Sequence, residues 1–274
     1  MDNLTPIRCS AVARGFGMRE LFDLSGKVAV ITGSSRGIGR SIAECMARAG
    51  ARIVVSSRKA EACAPVAEGI CAAGGEAMVV ACNISHKGQL EALVGRTVER
   101  WGRLDILVCN AAVNPYFGPM STMPEDAYDK IMASNVKSNF WLCNMAAPHM
   151  AAQGGGAIII VSSIGGNQGS ATVGVYGMSK AADYALTRNL AVEWGPKNIR
   201  ANCIAPGLIK TDFSRAFWEN PKLSDRVNAR TPLRRIGQPE DVGGVAVFLA
   251  ARAGAYFTGQ VVVIDGGLTI VEPG

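Results

Sequence analysis

The chain has 274 residues, of which 49% are hydrophobic and 18% charged, with a formal net charge of +6. That balance supports a large core and excludes a disordered chain, and no apolar run reaches the ~18 residues of a membrane span. Lysines and arginines are scattered, which argues against a nucleic-acid partner, while a mild positive excess suits an anionic cofactor.

Residues 1–17 lack periodicity and carry Arg8 and Arg14 without an apolar segment. They read as most of a flexible extension, 1–23, rather than a secretory signal, with Met18 as an alternative start. From residue 27 a strand–helix alternation begins. Strands are predicted at 27–32, 52–56, 76–81, 104–109, 157–161, 200–204 and 260–264. Helices are predicted at 38–49, 60–73, 88–101, 125–135, 137–152, 175–193 and 239–251. Near-continuous apolar strands separated by amphipathic helices predict one α/β domain over 24–274. Its sheet is parallel, seven-stranded and doubly wound, with helices on both faces, and ligands of such sheets bind at the carboxyl ends of the strands. The stretch 210–237 reads as irregular, an insertion carrying Phe213, Phe217 and Trp218 and placed as a lid.

The eight cysteines (Cys9, Cys45, Cys63, Cys71, Cys82, Cys109, Cys143 and Cys203) form no Cys-x-x-Cys motif. Free thiols in a reducing, cytoplasmic setting are expected. His86 and His149 stand far apart and outside any ligand pattern, so no metal is expected.

Three local motifs carry chemistry. Residues 32–39, between the first strand and first helix, read Thr-Gly-Ser-Ser-Arg-Gly-Ile-Gly. Alone, Gly33, Gly37 and Gly39 serve a structural turn equally well. In this position they let the backbone approach a pyrophosphate at a helix N-terminus, with Ser35, Arg36 and Ile38 beside it. The second strand ends Ser56-Ser57-Arg58. An acid there would select NAD; its absence, with Arg58 to pair a 2′-phosphate and Arg36 to flank it, predicts NADP(H). Tyr176 and Lys180 lie four apart, on one helix face, with Ser163 thirteen positions before the tyrosine. Such a pair is common on helix surfaces. Near a cofactor it suits proton transfer, because an ammonium beside a phenol favours the phenolate.

With these motifs in this order, the chain resembles the short-chain dehydrogenase/reductase family over about 24–268. The resemblance also rests on Asn110-Ala111-Ala112, Asn135, Pro206-Gly207, Thr211 and Asp265-Gly266-Gly267. It implies a Rossmann fold, Tyr176 as general acid and base, Lys180 gripping the nicotinamide ribose and tuning the tyrosine, and Ser163 positioning the substrate oxygen. It gives Asn135 a water in a proton relay. It places Asn83, Ile84 and Asn110 to Ala112 on the cofactor, and Pro206, Gly207, Ile209 and Thr211 around the carboxamide. Asn83 replaces the aspartate common in the family, and Asn-Ala-Ala replaces Asn-Ala-Gly. The chain looks most like the NADPH-dependent carbonyl and retinal reductase branch (dehydrogenase/reductase member 4 type), though it ends Glu272-Pro273-Gly274 without that branch's peroxisomal tripeptide. Expected substrates are apolar or aromatic ketones, aldehydes or secondary alcohols, met by Tyr116, Phe117, Ile164, Val173, Phe213, Phe217 and Trp218. A 3-oxoacyl-thioester reductase is the enzymatic alternative, and a non-catalytic NADP(H) sensor the alternative of another class. A homotetramer or homodimer is implied.

Overall fold

The computed structural model describes residues 17–271. The expected extension up to residue 16, with Cys9, and the C-terminal residues 272–274 lie outside the described residues. The strands are β1 (Val28–Thr32), β2 (Arg52–Ser56), β3 (Glu76–Val79), β4 (Ile106–Cys109), β5 (Gly156–Val161), β6 (Ile199–Pro206) and β7 (Val261–Ile264). They form one seven-stranded sheet in the order β3-β2-β1-β4-β5-β6-β7. Every pairing is parallel. The strand order reverses between β1 and β4, which opens a crevice at their carboxyl ends.

Helices α1 (Met18–Leu21), α2 (Gly37–Arg48), α3 (Ala60–Ala72), α4 (Lys87–Trp101), α5 (Glu125–Met132), α6 (Ser138–Ala152), α7 (Gly174–Trp194), α8 (Arg215–Trp218), α9 (Pro221–Arg230) and α10 (Pro239–Ala250) complete the chain. Alternation along each strand builds two cores. Ile31 and Ile53 pack with Ile42 and Met46 of α2 and Val242 of α10. Val30, Val54 and Leu107 face the other way, onto Leu93 of α4, Ala146 of α6 and Leu190 of α7. Each such side chain contributes roughly 1.5–3 kcal/mol on burial.

Two expectations are corrected. Residues 210–237 are largely helical rather than irregular, because Asn220 Oδ1 caps α9 by accepting from Lys222 N (3.1 Å) and Leu223 N (3.4 Å). Pro221 adds a residue preset for the first helical turn. The two helices expected at 125–135 and 137–152 are one continuous rod. A π-helical turn at Ala133–Lys137 joins α5 to α6 without a break, accommodating one extra residue per turn.

Candidate active site

The glycine loop takes its shape from the end of β4. Asn110 Nδ2 donates to the carbonyls of Thr32 (2.9 Å) and Gly33 (3.2 Å). Thr32 Oγ1 accepts from the backbone N–H of Asn110 and Ala111. Gly33 sits at φ +67, and a Cβ there would lie 2.9 Å from Asn110 Nδ2. At Gly39 a Cβ would come within 2.5 Å of both Asn110 Nδ2 and the Gly33 carbonyl. Ser34, buried and absent from the expected residues, donates to Ile31 O (2.7 Å) and accepts from Ser56 N (2.9 Å), locking the loop to β2.

Beside this loop runs a groove of about 720 Å³. Gly33, Ser35, Arg36, Gly37, Ile38 and Gly39 line one end, and Ser57, Arg58, Asn83 and Ile84 the side near β2 and β3. Asn110, Ala111, Ala112, Tyr176, Lys180 and Thr211 line the rest. Gly33 and Gly39 let the loop pack directly on Asn110 and Ala111, and the loop backbone at the start of α2, which lines the groove, fits a dinucleotide's pyrophosphate. Arg58 is exposed and has no acidic partner among the described residues. Arg36 does have one: its Nη1 lies 3.2 Å from Asp212 Oδ2. Hydrogen bonding and charge from Arg215, then the charge of Arg36, hold the Asp212 carboxyl below its ordinary value. Asn83 Oδ1 accepts from Ser85 N (3.1 Å), closing a tight turn. Pro206, Gly207 and Ile209 are not among the groove's walls. Pro206 pairs with Ile264, Gly207 is pressed against Asp265, where a Cβ would meet Asp265 Cα at 2.8 Å, and Ile209 is buried beside Gly237.

Tyr176 stands in the first turn of α7, and Lys180 one turn later, buried, with Nζ 5.8 Å from the Tyr176 ring centroid. Lys180 Nζ donates to Val161 O and Asp183 Oδ2, both at 3.1 Å. Burial disfavours its charge, but Asp183 and Tyr176 outweigh that and hold Lys180 above its ordinary value. Burial also pushes Asp183 up, against Lys180 and Asn139. The contacts favour the charged pair, because both Asp183 oxygens accept from donors.

Ser163 follows β5. Its Oγ accepts from Gly165 N (3.1 Å), opening a 3-10 turn at Ile164–Gly166, and its carbonyl accepts a short hydrogen bond from Tyr184. Asn135 lies in the π turn, fully buried. Its Oδ1 accepts from Val113 N (2.9 Å), and its Nδ2 donates to Val113 O (3.0 Å) and Ser179 Oγ (3.1 Å). It thus stitches the segment after β4 to α7. The residues that sequence reasoning missed here are Asp183 and Asn139; an acid three places after the lysine, in an otherwise apolar stretch, was the available signal.

Next to Tyr176 is a narrow recess lined by Asn114, Tyr116, Met120 and Val173. Phe213 lies 6.0 Å from the Tyr176 ring, and Phe117 meets Phe217 edge-on at 5.9 Å. Ile164 is partly buried beside Ser163. Trp218 packs within the 210–237 segment itself: its Nε1 donates to Thr211 O (2.8 Å), and Lys210 Nζ sits 5.0 Å over its ring.

Comparison with known proteins agrees with this geometry. A family model described as Enoyl-(Acyl carrier protein) reductase matches residues 33–269. Dehydrogenase/reductase SDR family member 4 of Bos taurus is 42% identical over 254 residues, 92% of this chain and 90% of that protein. The crystal structure of a gluconate 5-dehydrogenase from Burkholderia cenocepacia J2315, in complex with NADP and tartrate, superposes with a TM-score of 0.90 at 34% identity, covering 93% of this chain and 100% of that one. A 7α-hydroxysteroid dehydrogenase complexed with NADH and 7-oxo glycochenodeoxycholic acid gives 0.88 at 37% identity, covering 92% and 98%.

Proposed function

The chain belongs to the short-chain dehydrogenase/reductase family of oxidoreductases, and from that premise we propose that it is an NADP(H)-dependent carbonyl reductase, reversible as an alcohol dehydrogenase. The observation that carries this reading is the convergence of Tyr176 and Lys180 on a groove whose β2 end offers Arg58 and no acid. The substrate is an apolar or aromatic ketone or aldehyde, since the recess and the lid present Tyr116, Val173, Phe117, Phe213 and Phe217.

A bound dinucleotide supplies the hydride. Gly33, Gly37 and Gly39 hold its pyrophosphate, Arg58 its 2′-phosphate, and Lys180 its nicotinamide ribose. Ser163 donates to the substrate oxygen. Tyr176 gives that oxygen its proton in reduction and removes it in oxidation. The Lys180 ammonium stabilises the phenolate left on Tyr176, and the preplaced Ser163 and Tyr176 donors stabilise the developing alkoxide. Asn135 keeps the segment after β4 in register with α7.

Residues Phe140, Val192 and Val263 are exposed and support a homotetramer or homodimer, which light scattering would measure. Seven free cysteines among the described residues support a reducing, cytoplasmic setting. No helix among them is long and apolar enough to cross a membrane.

The decisive experiment is turnover of an aryl ketone, an acetoacetyl thioester and a polyhydroxy acid, each with NADPH and with NADH. Preference for the aryl ketone with NADPH is expected. Preference for the thioester would move the assignment to acyl chemistry. Dinucleotide binding without turnover of any of them would make the chain a sensor.

A further inference from the structure

We infer that Asp183 is a positioning residue, which keeps Lys180 charged and aims its remaining N–H bond into the dinucleotide groove. The inference rests on the reading that Lys180 grips the dinucleotide. An ammonium carries three N–H donors. Val161 O and Asp183 Oδ2 take two of them, both at 3.1 Å, while Lys180 itself lines the groove. The third is therefore left for the groove. Asp183 is itself fixed: it is fully buried, its Oδ1 accepts from Asn139 Nδ2 (3.0 Å), and that same amide donates to the Asn135 carbonyl (2.8 Å). The wire Asn135–Asn139–Asp183–Lys180 thus runs from the π turn to the catalytic lysine through protein groups alone.

Besides Asp183, the groups that favour the charged form of this lysine are Tyr176 and Cys203. From α7 the neighbours are Tyr176 and Tyr184, from β5 the Val161 carbonyl and the Ser162 hydroxyl, from β4 Cys109, from α6 Cys143 and Asn139, and from β6 Cys203. Burial pushes the Cys203 thiol up to about 12. Contact with Cys143, then burial, raises Cys109, and burial raises Tyr184. These three are neutral in the working range, so Asp183 is the resident anion facing Lys180 among the described residues. A buried ammonium without an anion sheds its proton far more readily.

The test is the pH dependence of dinucleotide affinity, read from NADPH and NADH fluorescence between pH 6 and 10. The full chain is compared with Asp183→Asn and Asp183→Val, and with both again on a Lys180→Met background. The unsubstituted chain should hold its affinity to about pH 9. The single variants should lose roughly threefold or more of their affinity between pH 7 and 9, as the amine deprotonates earlier without its anion. On the Lys180→Met background that loss should vanish. Folded single variants whose profiles superimpose on the parent overturn the inference alone. A parent that binds neither dinucleotide sinks the reading it rests on as well. Should neither single variant fold, the Lys180→Met/Asp183→Val chain decides: recovery of the fold supports an ammonium that needs its anion, and continued unfolding overturns the inference.

Discussion

Arg36 and Asp212 form an ion pair of 3.2 Å that ties the glycine loop to the first turn of the 210–237 segment. Both side chains are well exposed, so the pair is easily broken. A 2′-phosphate reaching Arg36 must compete with Asp212 for it. Replacing Asp212 with Asn should therefore strengthen NADPH binding roughly two- to fivefold and leave NADH unchanged, by fluorescence titration. An equal gain for both dinucleotides would show that Arg36 does not meet the 2′-phosphate. Replacing Arg58 with Asp should reverse the preference, because a carboxylate there repels the phosphate and accepts from a ribose hydroxyl.

Tyr176→Phe removes one hydroxyl and leaves the ring against Phe213. Turnover should fall roughly 10²- to 10⁴-fold, with dinucleotide affinity changed little. Unimpaired turnover of every carbonyl substrate would refute the assigned proton transfer.

The glycine loop allows a paired test. A methyl at Gly39 lands 2.5 Å from the Gly33 carbonyl, a backbone atom that cannot step aside cheaply. Gly39→Ala should cost about 1–3 kcal/mol of stability and weaken NADPH binding about tenfold or more. Gly69→Ala faces open space on α3, so it should stabilise by roughly 0.5–1 kcal/mol. Chemical denaturation measures both, and a neutral Gly39→Ala would mean that the loop can yield to the methyl without losing its packing on Asn110 and Gly33.

Asp105, just before β4, accepts from Val28 N (2.9 Å) and from Arg103 at 2.7 and 2.6 Å, with Lys27 at 3.4 Å. Burial raises its carboxyl, but Arg103, the Val28 amide and Lys27 outweigh burial and leave it below its ordinary value. The folded chain therefore binds this proton less readily than the unfolded chain. The resulting stability is complete above the ordinary carboxylate range and is lost as pH falls through the lowered folded value. Asp105→Asn should cost about 1–3 kcal/mol at neutral pH and flatten the acid limb of the denaturation midpoint. An unchanged acid limb would assign that sensitivity elsewhere.

The sheet and the groove were legible because their signals are local. Val28 to Ile31 are apolar without interruption, the glycines sit between strand and helix, and Tyr176 and Lys180 share a helical spacing. What escaped notice depends on distant or subtle partners. Arg36 reads as a free cation until Asp212, far along the chain, arrives beside it. Helix α9 was announced by Asn220-Pro221, but its polar surface masked the periodicity. Asp183 breaks an apolar helix pattern, and only the fold reveals that the break lies against Lys180. The turn at Asn135 resembles a helix end in sequence because a π turn shifts the apolar period by one residue without interrupting the rod.

That shift carries a consequence for any attempt to insert or delete residues here. Each residue of an α-helix advances the side chains by about 100°, so removing one residue from Ala133–Lys137 either closes the wide turn into an ordinary α turn, with α5 and α6 still in register, or rotates α6 against α5 by that angle if the wide turn persists. Asn135 answers to Val113 and Ser179, and Asn139 to Asp183. A single-residue deletion between them changes the spacing of Asn135 and Asn139, and with it the geometry that serves both sets of contacts. Point substitutions along this rod can be graded by what each side chain touches, but a change of its length severs one end of the site from the other. Libraries that vary loop lengths should leave this segment intact.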